Sequence, residues 1–325
     1  MGINSCSSLT EMVIDTWEQV IDAGMKSKPR GLPCRQLVGF QTRLTSPRNR
    51  LVLIPERRWS LAYAAGELAW YLAGDDALDF IRYYAPSYHR FSDDGERLHG
   101  AYGPRIFKSG AWDLVVNKMK RDPDTRQAVL PIFKLDDLKV SSKDTPCTLS
   151  LQFISNLGYL NLIVTMRSND AWLGLPYDAF CFTVLQELMA MELGIKLGGY
   201  THQVGSMHLY DKDLAAVRTI VPFESTPCLP ISETTTTAFI GEMLKRERVL
   251  RTCDGEFAVE NVEAFLSSVK EPSLLDLMTC AWAWKKALRS LTNLNALKTL
   301  RALLERKLDK LMLCFDSIEQ KGERR

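Results

Sequence analysis

Residues 150–210 constrain the fold of this chain more than any other stretch. SLQFISN (150–156) and YLNLIVTMRS (159–168) are rich in strand formers and are split only by Leu157-Gly158, which reads as a β-hairpin. CFTVLQELMAMELGI (181–195) follows, a strong buried helix that the pattern ends at Gly198-Gly199. YTHQVGSMHLY (200–210) then alternates like a strand. Hairpin, buried helix and strand in that order argue an α+β fold and exclude a regular βαβ repeat.

The flanking segments fit that class. Leu9, Met12, Val13, Trp17, Val20 and Ile21 recur at helical spacing, so 8–24 is expected to open the chain as an amphipathic helix. Residues 25–58, broken by Gly31, Pro33, Gly39 and Pro47, read as loop and short strands. SLAYAAGELAWYLAG (60–74) reads as a buried helix ended by Gly74. A mixed aromatic stretch (75–110), a helix over 112–121, a turn at DPDTR (122–126) and a strand at QAVLPIF (127–133) follow. Beyond residue 222 the character changes. The Thr run at 234–237 and KRERVLR look like a surface transition, and two helices follow, SLLDLMTCAWAWKKALRSL and NALKTLRALLERKLDKLMLCF, read as a helical hairpin. The expected division is a catalytic domain over 1–222 and a helical extension over 223–325 that buttresses it.

Composition narrows the function classes. Hydrophobic residues make up 46% and charged residues 25%, ordinary values for a packed globular protein. The net charge of +2 gives no general pull toward nucleic acid or membrane, so an anion site must be local. The eight cysteines form no Cys-x-x-Cys pair, and with four histidines no zinc spacing appears, so no metal is expected. Scattered thiols, no leader-like apolar run and no membrane-length segment suggest the cytoplasm.

The chemistry concentrates in TPCTLSLQFISNLGYLNLIVTMRSNDAWLGLPYD (145–178). Cys147 is a thiol at a strand edge, where a nucleophile can be presented. Arg167 and Ser168 supply fork donors and a hydroxyl, a sensible anion clamp. Asp170 and Asp178 add two carboxylates on the following turn. Taken in order, Pro-Cys-x(4)-Gln-Phe, Met-Arg-Ser-Asn-Asp, Leu-Gly-Leu-Pro-Tyr and His-Leu-Tyr resemble the thymidylate synthase family. Gly-Glu-Leu-Ala-Trp-Tyr-Leu-Ala-Gly (66–74), Ala-Tyr-Gly (101–103), Asp-Pro-Asp-Thr-Arg (122–126) and Pro-Arg-Gly (29–31) extend the resemblance over roughly residues 10–215.

The resemblance implies a large curved sheet with flanking helices and a homodimer. It implies that Cys147 adds to ring carbon 6 of a pyrimidine nucleotide, which makes ring carbon 5 attack the one-carbon unit of 5,10-methylenetetrahydrofolate. Glu67 matches the family's proton-handling glutamate. Arg167 and Ser168 would hold the 5′-phosphate, joined by Arg30 and by Arg126 from the partner subunit. His208 and Tyr210 would bond the sugar, Tyr102 would sit near the base and Cys147, and Asp170 would face the pterin. The thiol would need a lowered pKa or a nearby cation, which the phosphate-site arginines are expected to supply.

Departures from the family pattern shape the expected reaction. Asp178 replaces an asparagine that bonds the base edge. Ionised, it accepts from the cytosine amino group; protonated, it also donates to the ring nitrogen. A mismatched buried group costs about 1–3 kcal/mol, so cytosine is the expected base. Tyr88 and Phe91 stand where synthases carry two tryptophans that screen the methylene intermediate. The chain ends EQKGERR, without an apolar closing tail. Both changes admit water, which leads to a cytidylate 5-hydroxymethylase; the alternative is a divergent thymidylate synthase methylating dUMP. Lys134 replaces an asparagine and leans the sugar toward ribose. Thr148 and Gln127 replace a histidine and a second phosphate-site arginine.

Overall fold

The computed structural model describes residues 4–220, 228–229, 231, 235–253, 272–290 and 294–315. The boundary expected at 222/223 and the tail EQKGERR lie outside them. In chain order the elements are β1 (Asn4–Cys6), α1 (Leu9–Ala23), β2 (Met25–Ser27), β3 (Cys34–Leu44), α2 (Leu61–Leu72), α3 (Leu78–Tyr84) and α4 (Ala111–Arg121). Then come β4 (Val129–Pro131), β5 (Thr148–Asn156), β6 (Tyr159–Met166), β7 (Asn169–Asp170), α5 (Gly174–Leu193), β8 (Lys196–Tyr210) and α6 (Leu214–Val217). The helices α7 (Thr236–Thr252), α8 (Leu274–Ser290) and α9 (Leu294–Leu308) complete the described chain.

The strands form one mixed sheet in the order β1-β3-β8-β6-β5-β4, with β2 added to β3 and β7 to β8. The expected hairpin is present as the antiparallel pair β5 and β6. β8 runs parallel to β6 and antiparallel to β3, so the helix α5 serves as the crossover between two parallel neighbours. In the register row Leu130, Leu151, Val164, His202 and Thr42 every side chain is buried. The neighbouring row, Val129, Gln152, Ile163, Thr201 and Arg43, lies on the opposite face, where all but the buried Thr201 are half-buried or exposed.

Three expectations change in detail. The long helix ends at Gly194, not at Gly198-Gly199: Gly194 takes φ 65°, and its N–H returns to the Ala190 and Met191 carbonyls. Gly198 and Gly199 lie inside β8, where an added Cβ would sit 2.8 Å from the Leu160 carbonyl oxygen and 2.6 Å from the Arg43 guanidinium. Close packing, not a helix stop, calls for glycine there. The stretch 25–58 contains an eleven-residue strand, β3, whose cross-strand pairing with β8 overrides its glycine. KRERVLR is no surface transition but part of α7, capped by Thr235, whose hydroxyl accepts the Ala238 N–H.

The apolar helix α2 is the hub. Every residue except the half-buried Tyr63 is buried, and it packs against α3, α5, α7 and α8. Trp282, Trp284 and Leu300 from the last helices belong to the same continuous core as Trp17, Trp59 and Phe180. Polar ties reinforce this packing. Tyr84 of α3 donates to Glu247 of α7 at 2.6 Å, and Arg251 donates to the same carboxylate. Arg48 and the fully buried Arg50 both pair with Glu187 of α5.

Candidate active site

Four elements converge on Cys147. It immediately precedes β5, and its carbonyl accepts the Arg167 N–H at 2.8 Å where β6 ends. The Arg167 side chain wraps the same turn: Nε donates to the Pro146 carbonyl at 2.8 Å, and Nη2 donates to the Thr145 carbonyl at 2.9 Å and reaches Cys147 Sγ at 3.6 Å. The guanidinium is exposed, and Nη1 is the corner it does not spend on these bonds. Arg30, at φ 54° after Pro29, also lowers the Cys147 pKa through its charge.

Burial nevertheless wins at the thiol. The Cys147 pKa is raised chiefly by desolvation, with Arg167 and Arg30 opposing and Asp178 and Asp144 adding to the rise. Of the two expected aids, a lowered pKa or a nearby cation, the free protein has the second: Arg167 Nη2 stands 3.6 Å from the sulfur. Its cations offset the burial without overcoming it.

Glu67 projects from α2 and is 5% exposed. Its Oε1 accepts from Tyr88 Oη at 2.8 Å and from Tyr63 Oη at 3.4 Å, and the two phenols are 3.0 Å apart. Burial pushes its pKa up to about 7, against hydrogen bonds from Tyr88, Tyr71 and Tyr63. Tyr88 thus stands on the carboxylate, with Phe91 at 5.8 Å between ring centroids and 43% exposed. Sequence reading named Tyr88 only as a screen and missed Tyr63 and Tyr71. Both lie four residues from Glu67 on the same helix, so the i±4 spacing could have found them.

Asp178 lies in the first turns of α5. Its pKa is raised well above the carboxylate range by burial first and by the charge of Glu67 second. Its Oδ2 accepts from Asn169 Nδ2 at 3.0 Å. Tyr102 is buried and accepts from the Thr148 N–H at 3.2 Å and the Thr148 hydroxyl at 2.9 Å, so Thr148 anchors it beside Cys147. Its pKa is raised by burial and by the charges of Asp178 and Cys147, which places the three groups in one field.

β7 and β8 carry the remaining candidates. Ser168 Oγ lies 3.4 Å from His208 Nδ1, and the His208 and Tyr210 rings are 5.1 Å apart. Asp170 pairs with His208 in the sheet register. Its Oδ1 accepts the Trp172 N–H at 2.8 Å and the Leu173 N–H at 3.3 Å. Two residues stand apart. Arg126 is exposed next to the open sheet face, its carbonyl bonded by Gln152 at 3.0 Å. Lys134 is exposed and lines a separate cleft of about 510 Å³ with Asp136, Asp137, His99 and Arg105. No group of metal-ligating side chains occurs among the described residues.

The site thus brings together a thiol, the charges of Arg167 and Arg30, and the buried carboxyls Glu67 and Asp178. The thymidylate synthase family model matches residues 12–244, and the chain belongs to that family. The chain is 32% identical over 228 residues to a deoxyuridylate hydroxymethyltransferase of Bacillus phage SP01, covering 65% of this chain and 60% of the relative. A protein of the same name from Delftia phage PhiW-14 is 30% identical over 196 residues, 56% of this chain and 55% of the relative. The thymidylate synthase of Bacillus subtilis subsp. natto is 24% identical over 208 residues, 61% of this chain and 74% of the relative. The chain thus spans little more than half the length of the phage relatives. Among the described residues no helix is long and apolar enough to cross a membrane.

Proposed function

We propose that this protein is a cytidylate 5-hydroxymethylase acting on CMP or dCMP in the cytoplasm. The observation that carries the reading is Asp178, a buried carboxyl bonded by Asn169 whose pKa burial and the Glu67 charge push upward, toward the neutral form. A neutral carboxyl offers one donor and one acceptor, and cytosine presents the complementary ring nitrogen and amino group.

Arg167, Ser168 and Arg30 bind the 5′-phosphate, with Nη1 of Arg167 turned to the anion. His208 and Tyr210 bond the sugar. Lys134 is the residue assigned to a ribose hydroxyl, although it lines the neighbouring cleft in the free protein. The Cys147 sulfur forms a bond to ring carbon 6, and the electron pair passes to carbon 5. Methylenetetrahydrofolate supplies the one-carbon unit. Asp170 is the residue assigned to the pterin, and only its Oδ1 is occupied by backbone N–H groups. Carbon 5 bonds to that unit and then loses its proton as the carbon–nitrogen bond to the folate breaks, which releases tetrahydrofolate and leaves an exocyclic methylene. Glu67 and the Tyr63, Tyr71 and Tyr88 hydroxyls hold a water beside it. The water adds to the methylene and Cys147 leaves as thiolate, giving the 5-hydroxymethyl product. The exposed sheet face with Arg126 at its margin supports a homodimer in which Arg126 reaches the partner's phosphate.

The names of the phage relatives favour a second reading, the same reaction on dUMP. Methylation of dUMP is the third. Incubation with methylenetetrahydrofolate and CMP, dCMP or dUMP, followed by product mass, separates them. Hydroxymethylated cytidylate supports the proposal. Turnover of dUMP alone, a 5-methyl product, or a rise in dihydrofolate absorbance overturns it.

A further inference from the structure

Asn169 is the residue between the phosphate clamp and Asp170, and no role for it follows from the motif in which it stands. It is 3% exposed, and its amide nitrogen meets three acceptors. Nδ2 lies 2.8 Å from Met166 Sδ, 3.0 Å from Asp178 Oδ2 and 3.3 Å from His202 Nε2. The amide has two N–H hydrogens for these three contacts, and with Nδ2 on this side they serve Asp178 Oδ2 and His202 Nε2. His202 is fully buried and neutral, its pKa pushed down to about 3 by desolvation. With Nε2 accepting from Asn169, its Nδ1–H donates to Tyr200 Oη at 2.7 Å. The line Tyr200, His202, Asn169, Asp178 therefore has one direction of donation at each link.

The other end of the amide has been left unsatisfied to achieve this. Asn169 Oδ1 is buried and finds no hydrogen-bond partner among the described residues. Gly174 makes room for that oxygen, since a Cβ there would lie 2.3 Å from it. An orphaned buried acceptor destabilises the fold, so its retention calls for a use.

We propose that Asn169 is a positioning residue that sets base specificity: its N–H makes Oδ2 of Asp178 an acceptor, leaves Oδ1 as the oxygen that carries the proton, and so fixes the donor–acceptor order shown to the base. A free carboxyl can place its proton on either oxygen and match either pyrimidine. A carboxyl held by Asn169 matches one. The inference rests on the reading of Asp178 as the base-contacting group, and it is indifferent to which base the locked order selects.

The test is the ratio of kcat/KM on cytidylate to that on uridylate, measured for wild type, Asn169→Leu and His202→Phe. Leucine keeps the branched shape, with a larger volume, and removes the donor. The expected result is a ratio at least tenfold nearer to parity in Asn169→Leu and a smaller move in the same direction in His202→Phe. The change should come mainly from the favoured base, through a raised KM. A variant with a wild-type melting profile and a ratio within twofold of wild type overturns the proposal. Should Asn169→Leu fail to fold, His202→Phe carries the test by the same criterion. If wild type favours uridylate, the cytosine reading fails while the movement toward parity still decides the role of Asn169.

Discussion

Glu67→Gln should make the protein more stable at alkaline pH while stopping its chemistry. The Glu67 carboxyl has a pKa of about 7 against 4.5 for the free group, and desolvation is the leading cause. Between those values the folded state holds a proton that the unfolded state has lost. Stability therefore falls as pH rises across that window. At 5% exposure solvent screening takes little from the effect. Each pH unit across which the two states differ by a full proton is worth roughly 1.4 kcal/mol, so the loss amounts to about 1 kcal/mol at pH 5.5 and about 3 kcal/mol at pH 8.5. Glutamine keeps an oxygen for the Tyr88 and Tyr63 hydroxyls and carries no charge to desolvate. The advantage of Glu67→Gln over wild type should accordingly grow by about 2 kcal/mol from pH 5.5 to pH 8.5. Urea unfolding at the two pH values, with m held in common, measures it. A stability difference that is flat with pH would refute the claim that Glu67 is buried at the expense of its charge. One-carbon transfer by the same variant should fall by at least about a hundredfold, the usual scale of a lost proton-transfer group.

Other perturbations probe other parts of the molecule. Arg167→Ala removes the cation 3.6 Å from Cys147 Sγ, so the pH midpoint of Cys147 alkylation by iodoacetamide should rise, as followed by mass spectrometry of the labelled peptide. An unmoved midpoint would mean that the guanidinium only shapes the turn. Cys147→Ser should abolish both turnover and the covalent nucleotide adduct seen on denaturing mass spectrometry; residual turnover at the wild-type rate would end the covalent mechanism. Gly66→Ala places a Cβ 2.4 Å from the Tyr84 ring, which is pinned through its hydroxyl to Glu247. The expected loss is about 1–3 kcal/mol in urea unfolding, the usual cost of overpacking a filled core. An unchanged unfolding midpoint would show that the Tyr84 ring can move aside freely.

Periodicity made the fold legible wherever a residue pattern meets one environment. The β5–β6 hairpin, α1 and α2 each present a consistent face, and the sequence shows them close to their true bounds. β3 was harder, because its pairing with β8 is set by residues far along the chain. The candidate site was legible as residue types in order: Cys147, Arg167, Ser168, Glu67 and Asp178 all stand in short motifs. Their electrostatics were not. Arginines near a cysteine suggest a lowered pKa, whereas burial outweighs them. The Asn169 and His202 contacts were invisible for a related reason, since β7 and β8 must pair before those side chains meet.

That dependence on burial explains how two carboxyls in one site can divide the work. The charge of Glu67 is a cause of the raised Asp178 pKa, second to desolvation. As pH rises through about 7 Glu67 ionises, and its charge holds the proton on Asp178 more firmly. Near neutrality the site thus pairs Glu67, with a pKa of about 7, with Asp178, whose pKa burial and the Glu67 charge push upward. The first is suited to moving protons to and from water, the second to reading a base that lacks a donor at its ring nitrogen. Removing the Glu67 charge should therefore loosen base selection as well as stop proton transfer. Nucleotide binding measured calorimetrically from about pH 6 to about pH 9 tests this, because the Asp178 proton is lost more easily once the neighbouring charge is gone. Cytidylate affinity should fall off at a lower pH in Glu67→Gln than in wild type, and coincident profiles would break the coupling.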